Sequence, residues 1–121
     1  MISRRILVLC EEDHMNDLLR EVYNEHYLKF IATHKSIISI DSAKFRFYCD
    51  ECDIMIISNL GIPISYTKKF VSLLPTRKER TFRPEVLSGY IDEELKNLCR
   101  EKEVNLNNLP IPIEKLRILI A

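Results

Sequence analysis

The sequence predicts a small three-layer α/β domain in which a mainly parallel sheet of four strands lies between helices. Two unbroken apolar runs, residues 6–9 and 54–57, are typical of strands that are covered on both faces. The first run leads directly into apolar residues at helical spacing, as in the first half of a βαβ unit. With 121 residues, of which 46% are apolar, the chain is long enough for one domain with a hydrophobic core.

The first half of the chain predicts alternating strands and helices. A strand is expected at residues 5–10, a helix at about 14–26 and a second strand at 28–33. Residues 36–47 fit either a helix or an alternating strand, and we prefer the helix because parallel strands need a crossover connection. The third strand, residues 52–58, ends at Asn59.

The second half predicts a fourth strand at residues 69–74, a charged connection, and a helix that begins near Pro84 and ends near Val104. The apolar residues 113–121 form either a short helix or an edge strand. With right-handed crossovers the sheet order becomes 2-1-3-4. The expected organisation is one domain at residues 1–104 and a C-terminal extension at 105–121, which packs on the domain or on a partner.

Composition excludes several classes of protein. Lys plus Arg and Asp plus Glu both number 18, so no net charge attracts nucleic acid or an anionic membrane. No apolar run approaches the roughly 20 residues that span a bilayer, and the N-terminal apolar stretch is too short for a signal peptide. Two glycines are too few for a glycine-rich phosphate loop. We expect a cytoplasmic protein with reduced cysteines and no cofactor.

Cys10 is the first candidate for chemistry, because it ends the first strand at the edge where open α/β sheets collect their sites. A thiol there can be a nucleophile, or it can be a small core residue. The acidic side chains that follow, Glu11, Glu12 and Asp13, disfavour a thiolate and repel phosphate. We therefore prefer the core interpretation, with His14 as a neighbouring loop residue.

The same acidic loop could hold Mg²⁺, which prefers carboxylate oxygens. The third strand, however, ends in Ser58 and Asn59 rather than in an aspartate. A solvated helix start is the simpler interpretation, and no metal site is predicted.

Cys49 and Cys52 form an isolated C-x-x-C pair that enters a strand. A zinc site needs further cysteines or spaced histidines, and the three histidines share no ligand spacing. The lysines and arginines between residues 68 and 83 form a basic patch that could contact an acidic partner, and a solvated face is the expected role.

The chain resembles the enzyme IIB modules of the sugar phosphotransferase system, in particular the IIB-like domains of bacterial transcription regulators of the Mga/AtxA and PRD type. The resemblance is carried by a strand that ends in cysteine, a strand with a small polar sequel, an apolar third strand and a fourth strand closed by proline: residues 6–10, 30–37, 53–58 and 70–75. Only Cys10 matches the phosphorylated residue of that family, and residues 11–16 lack its glycine and hydroxyl loop. The resemblance implies a Rossmann-like or flavodoxin-like fold and a degenerate regulatory module.

The chain also resembles response-regulator receiver domains. Residues 5–9 followed by Glu11, Glu12 and Asp13 are similar to their first strand and acidic pair, and residues 53–57 to the strand before their phosphoacceptor. The acceptor position falls on Ser58 or Asn59, while the switch threonine and the late Lys-Pro pair find no counterpart. This resemblance implies a pseudo-receiver.

These resemblances imply a IIB-like regulatory or protein-interaction module that is non-catalytic or weakly catalytic and is part of or partner to a bacterial transcription regulator. The alternatives are an active phosphocarrier with Cys10 as the phosphoryl acceptor, a pseudo-receiver, and a stand-alone adaptor. The expected partners are a protein or a second copy of the chain, without direct contact to nucleic acid or membrane. Residues 109–121 either form an oligomer contact or pack on their own domain.

Overall fold

The structure, a computed structural model, describes residues 5–10, 27–31, 37–59 and 61–120, without the side chains of residues 27–31 and 120. In chain order the elements are β1 (Arg5–Leu9), β2 (Tyr27–Ile31), α1 (Ser42–Glu51), β3 (Ile54–Ser58), α2 (Ile64–Leu73), β4 (Arg83–Ser88), α3 (Glu93–Lys102), β5 (Asn105–Asn108) and α4 (Ile113–Ile120).

The five strands form one parallel sheet in the order β2-β1-β3-β4-β5. The register places Leu9 opposite Ile57 and Ser58 opposite Leu87, so the strands end close to one another at the carboxyl edge. The α/β class, the parallel sheet and the order of its first three strands are as predicted, and the place beside β3 is taken by residues 83–88 rather than by the expected fourth strand at 69–74. A fifth strand extends the sheet beyond β4.

The core has two layers, one on each face of the sheet. Successive residues of a strand point to opposite faces, so Val86 lies in one apolar cluster and Leu87 in the other. Helices α1 and α2 contribute Phe45 and Phe70 to the first layer, where the two rings stack with centroids 5.5 Å apart. Helix α4 contributes Leu116 to the second layer. This is the predicted three-layer arrangement.

The predicted fourth strand, residues 69–74, is wrong, because most of this segment lies in α2. The buried residues Thr67, Phe70, Val71 and Leu74 follow one another at the three-to-four spacing of a helix face. The predicted helix at residues 36–47 is correct in type, but α1 begins at Ser42 and extends to Glu51.

The segment from Pro84 to about Val104, predicted to be one helix, begins as a strand. Residues 84–88 are buried between β3 and β5, and the helix begins only after Asp92, whose side chain accepts a hydrogen bond from the Leu95 backbone N–H at 2.8 Å. Asp92 is therefore the N-cap of α3.

The sheet continues past residue 104, the predicted end of the domain. Asn105–Asn108, which was expected to belong to the C-terminal extension, is β5 and pairs with β4. Ile113–Ile120 is a helix, the first of the two predicted alternatives, and Leu116 and Ile111 are buried in the second core layer. The Leu109–Pro110 peptide bond between these elements is cis.

Candidate functional site

The carboxyl edge of the sheet is where the candidate residues at the ends of β1, β3 and β4 come together. Parallel strands place their carboxyl ends at one edge, so Cys10, Ser58 and Ser88 are neighbours in the fold. Ser58 and Ser88 are both buried. These positions follow directly from the apolar runs that form the central strands.

Asn59 connects the loops after β3 and β4. Its backbone N–H donates to the carbonyl of Leu87 at 3.3 Å, and its side-chain oxygen accepts a hydrogen bond from the Gly89 N–H at 2.9 Å. Its own carbonyl accepts from the Ile62 N–H at 3.1 Å across a turn that contains Gly61. Gly61 has a φ of 78°, in the left-handed region where glycine has no steric cost.

Ser88 is tied to the same loop, because its hydroxyl donates to the carbonyl of Tyr90. Ser88 and Asn59 therefore both use their side chains to fix residues 88–90. Sequence reasoning missed Ser88 because it placed a helix there. The Ser-Gly pair after an apolar run was the signal for a strand followed by a turn.

Cys10 lies where the sequence placed it, at the end of β1, and it is fully buried with Ile6, Val8 and Leu116 in the second core layer. It is not part of a disulfide bond. The other members of the predicted loop, Glu11, Glu12, Asp13 and His14, lie outside the described residues. For Cys10, burial fits a core residue better than an accessible nucleophile.

The C-x-x-C pair is also buried. Cys49 lies in the last turn of α1, Cys52 is the residue that ends this helix, and neither is in a disulfide bond. Burial, reinforced by neighbouring negative groups, raises the pKa of Cys49 to about 11 and that of Cys52 to about 12. Both are therefore neutral thiols at pH 7, whereas the nucleophilic form of cysteine is the thiolate.

Metal ligands do not gather in the described part of the chain. No group of three His, Cys, Asp or Glu side chains there is placed to hold an ion. The side chains described at the ends of β3 and β4, Ser58, Asn59 and Ser88, are neutral.

The basic residues predicted to form one solvated face separate into two groups. Lys68 on α2 is 2.6 Å from a carboxylate oxygen of Asp92, and Lys69 donates to the carbonyl of Ile40 at 3.0 Å. Arg77, Arg80 and Arg83 lie at the other end of the sheet, where β4 begins.

No described helix is both long enough and apolar enough to cross a bilayer.

No protein-family model matches the chain, and no curated protein matches it in sequence.

Solved structures of receiver domains match the fold over nearly the whole chain. A signal receiver domain from Clostridium thermocellum is 11% identical, with a TM-score of 0.72 over 98% of this chain and 95% of the other. The receiver domain of an HD-domain protein from Pseudomonas fluorescens gives 14% identity and a TM-score of 0.72 over 98% and 92%. An orphan response regulator of H. pylori gives 16% identity and a TM-score of 0.69 over 98% and 93%.

These similarities show that the chain has the fold of response-regulator receiver domains. They favour the second of the two resemblances in the sequence. The first, to enzyme IIB modules, finds no support among these structures. One of the segments that carried it was the expected fourth strand, and most of that segment is helical.

Proposed function

We propose that this chain is a pseudo-receiver, a regulatory module that has the receiver fold, acts through contacts with proteins, and takes no phosphoryl group at the end of β3. The observation that carries this proposal is Asn59. Its neutral amide occupies the position after β3, and the amide oxygen is bonded to the Gly89 N–H. An acyl phosphate forms on a carboxylate, and an amide oxygen is a much weaker nucleophile.

The hydrogen bonds around Asn59 also support a fixed edge. Asn59 and Ser88 hold the loop at residues 88–90 with hydrogen bonds from their own side chains. The neutral side chains at the ends of β3 and β4 also offer no carboxylate oxygen, the ligand that Mg²⁺ prefers. In this proposal the loop is kept in one conformation by the protein itself.

Exposure of the purified chain to acetyl phosphate and Mg²⁺, followed by intact-mass spectrometry, tests the proposal. We expect no gain of a phosphoryl group, while an active receiver domain treated in parallel becomes modified. A stable adduct on a carboxylate would contradict the proposal. An adduct that disappears in Cys10→Ser would instead identify Cys10 as a phosphoryl acceptor, and would also contradict it.

The protein contact is proposed to involve the C-terminal segment, residues 109–121. Helix α4 buries Leu116 completely, while Ile118 is 72% exposed and Ile113 is 37% exposed. An apolar side chain that remains largely exposed, rather than packed in the core, is a candidate for contact with a second copy or another protein.

The four cysteines, none of them in a disulfide bond, are consistent with a place in the cytoplasm.

Sedimentation equilibrium tests the form of this proposal in which the partner is a second copy. We expect a concentration-dependent dimer for the unmodified chain and a monomer for Ile118→Glu. Lys115→Glu introduces the same side chain on the same helix and replaces an exposed residue, so its dimer should persist. A monomer at all concentrations for the unmodified chain would rule out the dimer.

A further inference from the structure

Three arginines line one cavity at the amino end of β4. The cavity has a volume of about 300 Å³, and Arg77, Arg80 and Arg83 share its wall with Glu103 and Asn105. The charged side chains that line it are three cations and one carboxylate, and the buried carboxylate of Glu85 lies next to Arg83. The cavity lies at the edge of the sheet opposite to Asn59 and Ser88.

Arg80 is held in place by the end of α3. Its Nη1 donates to the carbonyl of Lys102 at 2.7 Å, and its Nη2 donates to the carbonyl of Glu103 at 3.1 Å. A guanidinium group has more N–H donors than these two bonds use, so Arg80 keeps donors for a ligand while its position stays fixed.

Arg77 and Arg83 bring further positive charge to the same cavity. Arg83 donates to the carbonyl of Leu119, and its Nε lies 3.7 Å from a carboxylate oxygen of Glu85. Burial lowers the pKa of Arg80, and the positive charge of Arg77 lowers it further. The guanidinium groups of Arg77 and Arg80 therefore repel each other, and an anion bound between them would relieve this repulsion.

Glu103 is a weak competitor for these arginines. Its carboxylate is 3.9 Å from Nη1 of Arg77, and both side chains are more than half exposed, so the ion pair contributes little. Lys68 differs in this respect, because Asp92 and Glu94 already surround its ammonium group. The arginine-lined cavity is thus the stronger candidate for an external anion.

We propose that the arginine-lined cavity binds a small molecule that carries a phosphate group. The planar fork of a guanidinium matches two oxygens of one phosphate, which makes arginine the preferred cation at such sites. A volume of about 300 Å³ is at the lower limit for small-molecule sites. Phe82 and Pro84 form an apolar wall beside the arginines that an organic group can contact. The site is independent of the proposed pseudo-receiver edge.

Titration of ¹⁵N-labelled chain with pyrophosphate and, separately, with AMP tests this site by NMR at constant ionic strength. We expect saturable shifts of the backbone amides at residues 77–83 and 103–105 with both probes. Tighter binding of AMP would assign the site to organic phosphates, and tighter binding of pyrophosphate would assign it to inorganic ones.

Matched variants separate a built site from general attraction of anions. Arg77→Gln should weaken binding about tenfold, the effect of one charge-assisted hydrogen bond. Lys78→Gln removes the same charge from the next residue, which does not line the cavity, and should change affinity by less than about twofold. Arg77 is 75% exposed, so its variant should fold normally.

Removal of the Glu103 carboxylate, which competes with the ligand for the arginines, should have the opposite effect on affinity. Glu103→Gln should tighten binding, while Glu101→Gln, with the same change of charge outside the cavity, should not. The proposal is overturned by the absence of saturable shifts, by equal losses in Arg77→Gln and Lys78→Gln, or by shifts that centre on Asn59 and Ser88.

Discussion

The two edges of the sheet use their polar side chains in different ways. At the carboxyl edge Asn59 and Ser88 are neutral, and both are bonded to the loop at residues 88–90. At the amino edge Arg77 and Arg80 lie beside one cavity, and their charges are only partly compensated. Open α/β sheets usually bind ligands at the carboxyl edge. In the part of this chain that the structure describes, the partly compensated arginine charges lie at the opposite edge.

The largest expected effect concerns the stability of the amino edge. Arg80→Ala removes both hydrogen bonds to the last carbonyls of α3, and we expect the free energy of unfolding to fall by about 2–3 kcal/mol. Arg100→Ala is the control, because Arg100 is exposed and its side-chain hydrogen bond to Asn97 is long at 3.4 Å. Urea denaturation should show a loss below about 0.5 kcal/mol for the control. Equal losses would mean that Arg80 does not hold this edge.

A second prediction concerns Glu85, which lies on β4 between the two edges and is 2% exposed. Burial raises its pKa above the ordinary value of 4.5, although Asn105 and Asn107 donate to its carboxylate and Arg83 lies nearby. A raised pKa in the folded state gives a contribution to stability that is fully present below about pH 4.5. That contribution is lost as the pH rises through the folded-state value.

The difference in unfolding free energy between the unmodified chain and Glu85→Gln measures this contribution. It should decrease with rising pH from about 4.5, by at most about 1.4 kcal/mol per pH unit. Denaturation at a series of pH values checks it. A difference that rises with pH would show that the hydrogen bonds from Asn105 and Asn107 outweigh burial.

The fold was predictable where apolar residues run without interruption. The strands β1 and β3 are buried on both faces, and the sequence located both. The strand β4 was missed because Leu87 and Leu95 also fit a helical spacing, although one lies in a strand and the other in α3. Periodicity alone cannot show that the turn at Gly89 separates them.

The sequence predicted the neutral residues at the end of β3, but it did not predict the arginine-lined cavity. The neutral residues Ser58 and Asn59 were identified because one ends β3 and the other directly follows it. The arginine-lined cavity was not, because the loop between α2 and β4 brings Arg77 and Arg80 together by a path that no sequence period records. The strand β5 was hidden for a similar reason. Asparagine is uncommon in strands, and here the side chains of Asn105 and Asn107 donate hydrogen bonds to the carboxylate of the buried Glu85.

A smaller effect is expected at the carboxyl edge. Asn59→Ala leaves the Gly89 N–H without its acceptor, and we expect a loss of about 1 kcal/mol in the free energy of unfolding. Asn108→Ala removes an exposed amide from the end of β5 and should cost less than about 0.5 kcal/mol. Thermal denaturation of both variants is the measurement. An equal cost for the two would mean that the Asn59 bond does not stabilise this edge.

The smallest effect returns to the amino edge, at Glu103. This residue ends α3 with a φ of 54°, in the left-handed region that glycine adopts without steric cost. Glu103→Gly should therefore stabilise the chain by about 0.5–1 kcal/mol in urea denaturation. Glu101→Gly makes the same change inside α3 and should destabilise it by about 1 kcal/mol. If both variants lose stability, the contact of Glu103 with Arg77 outweighs the backbone cost, and this carboxylate is a part of the amino edge that an anion has to displace.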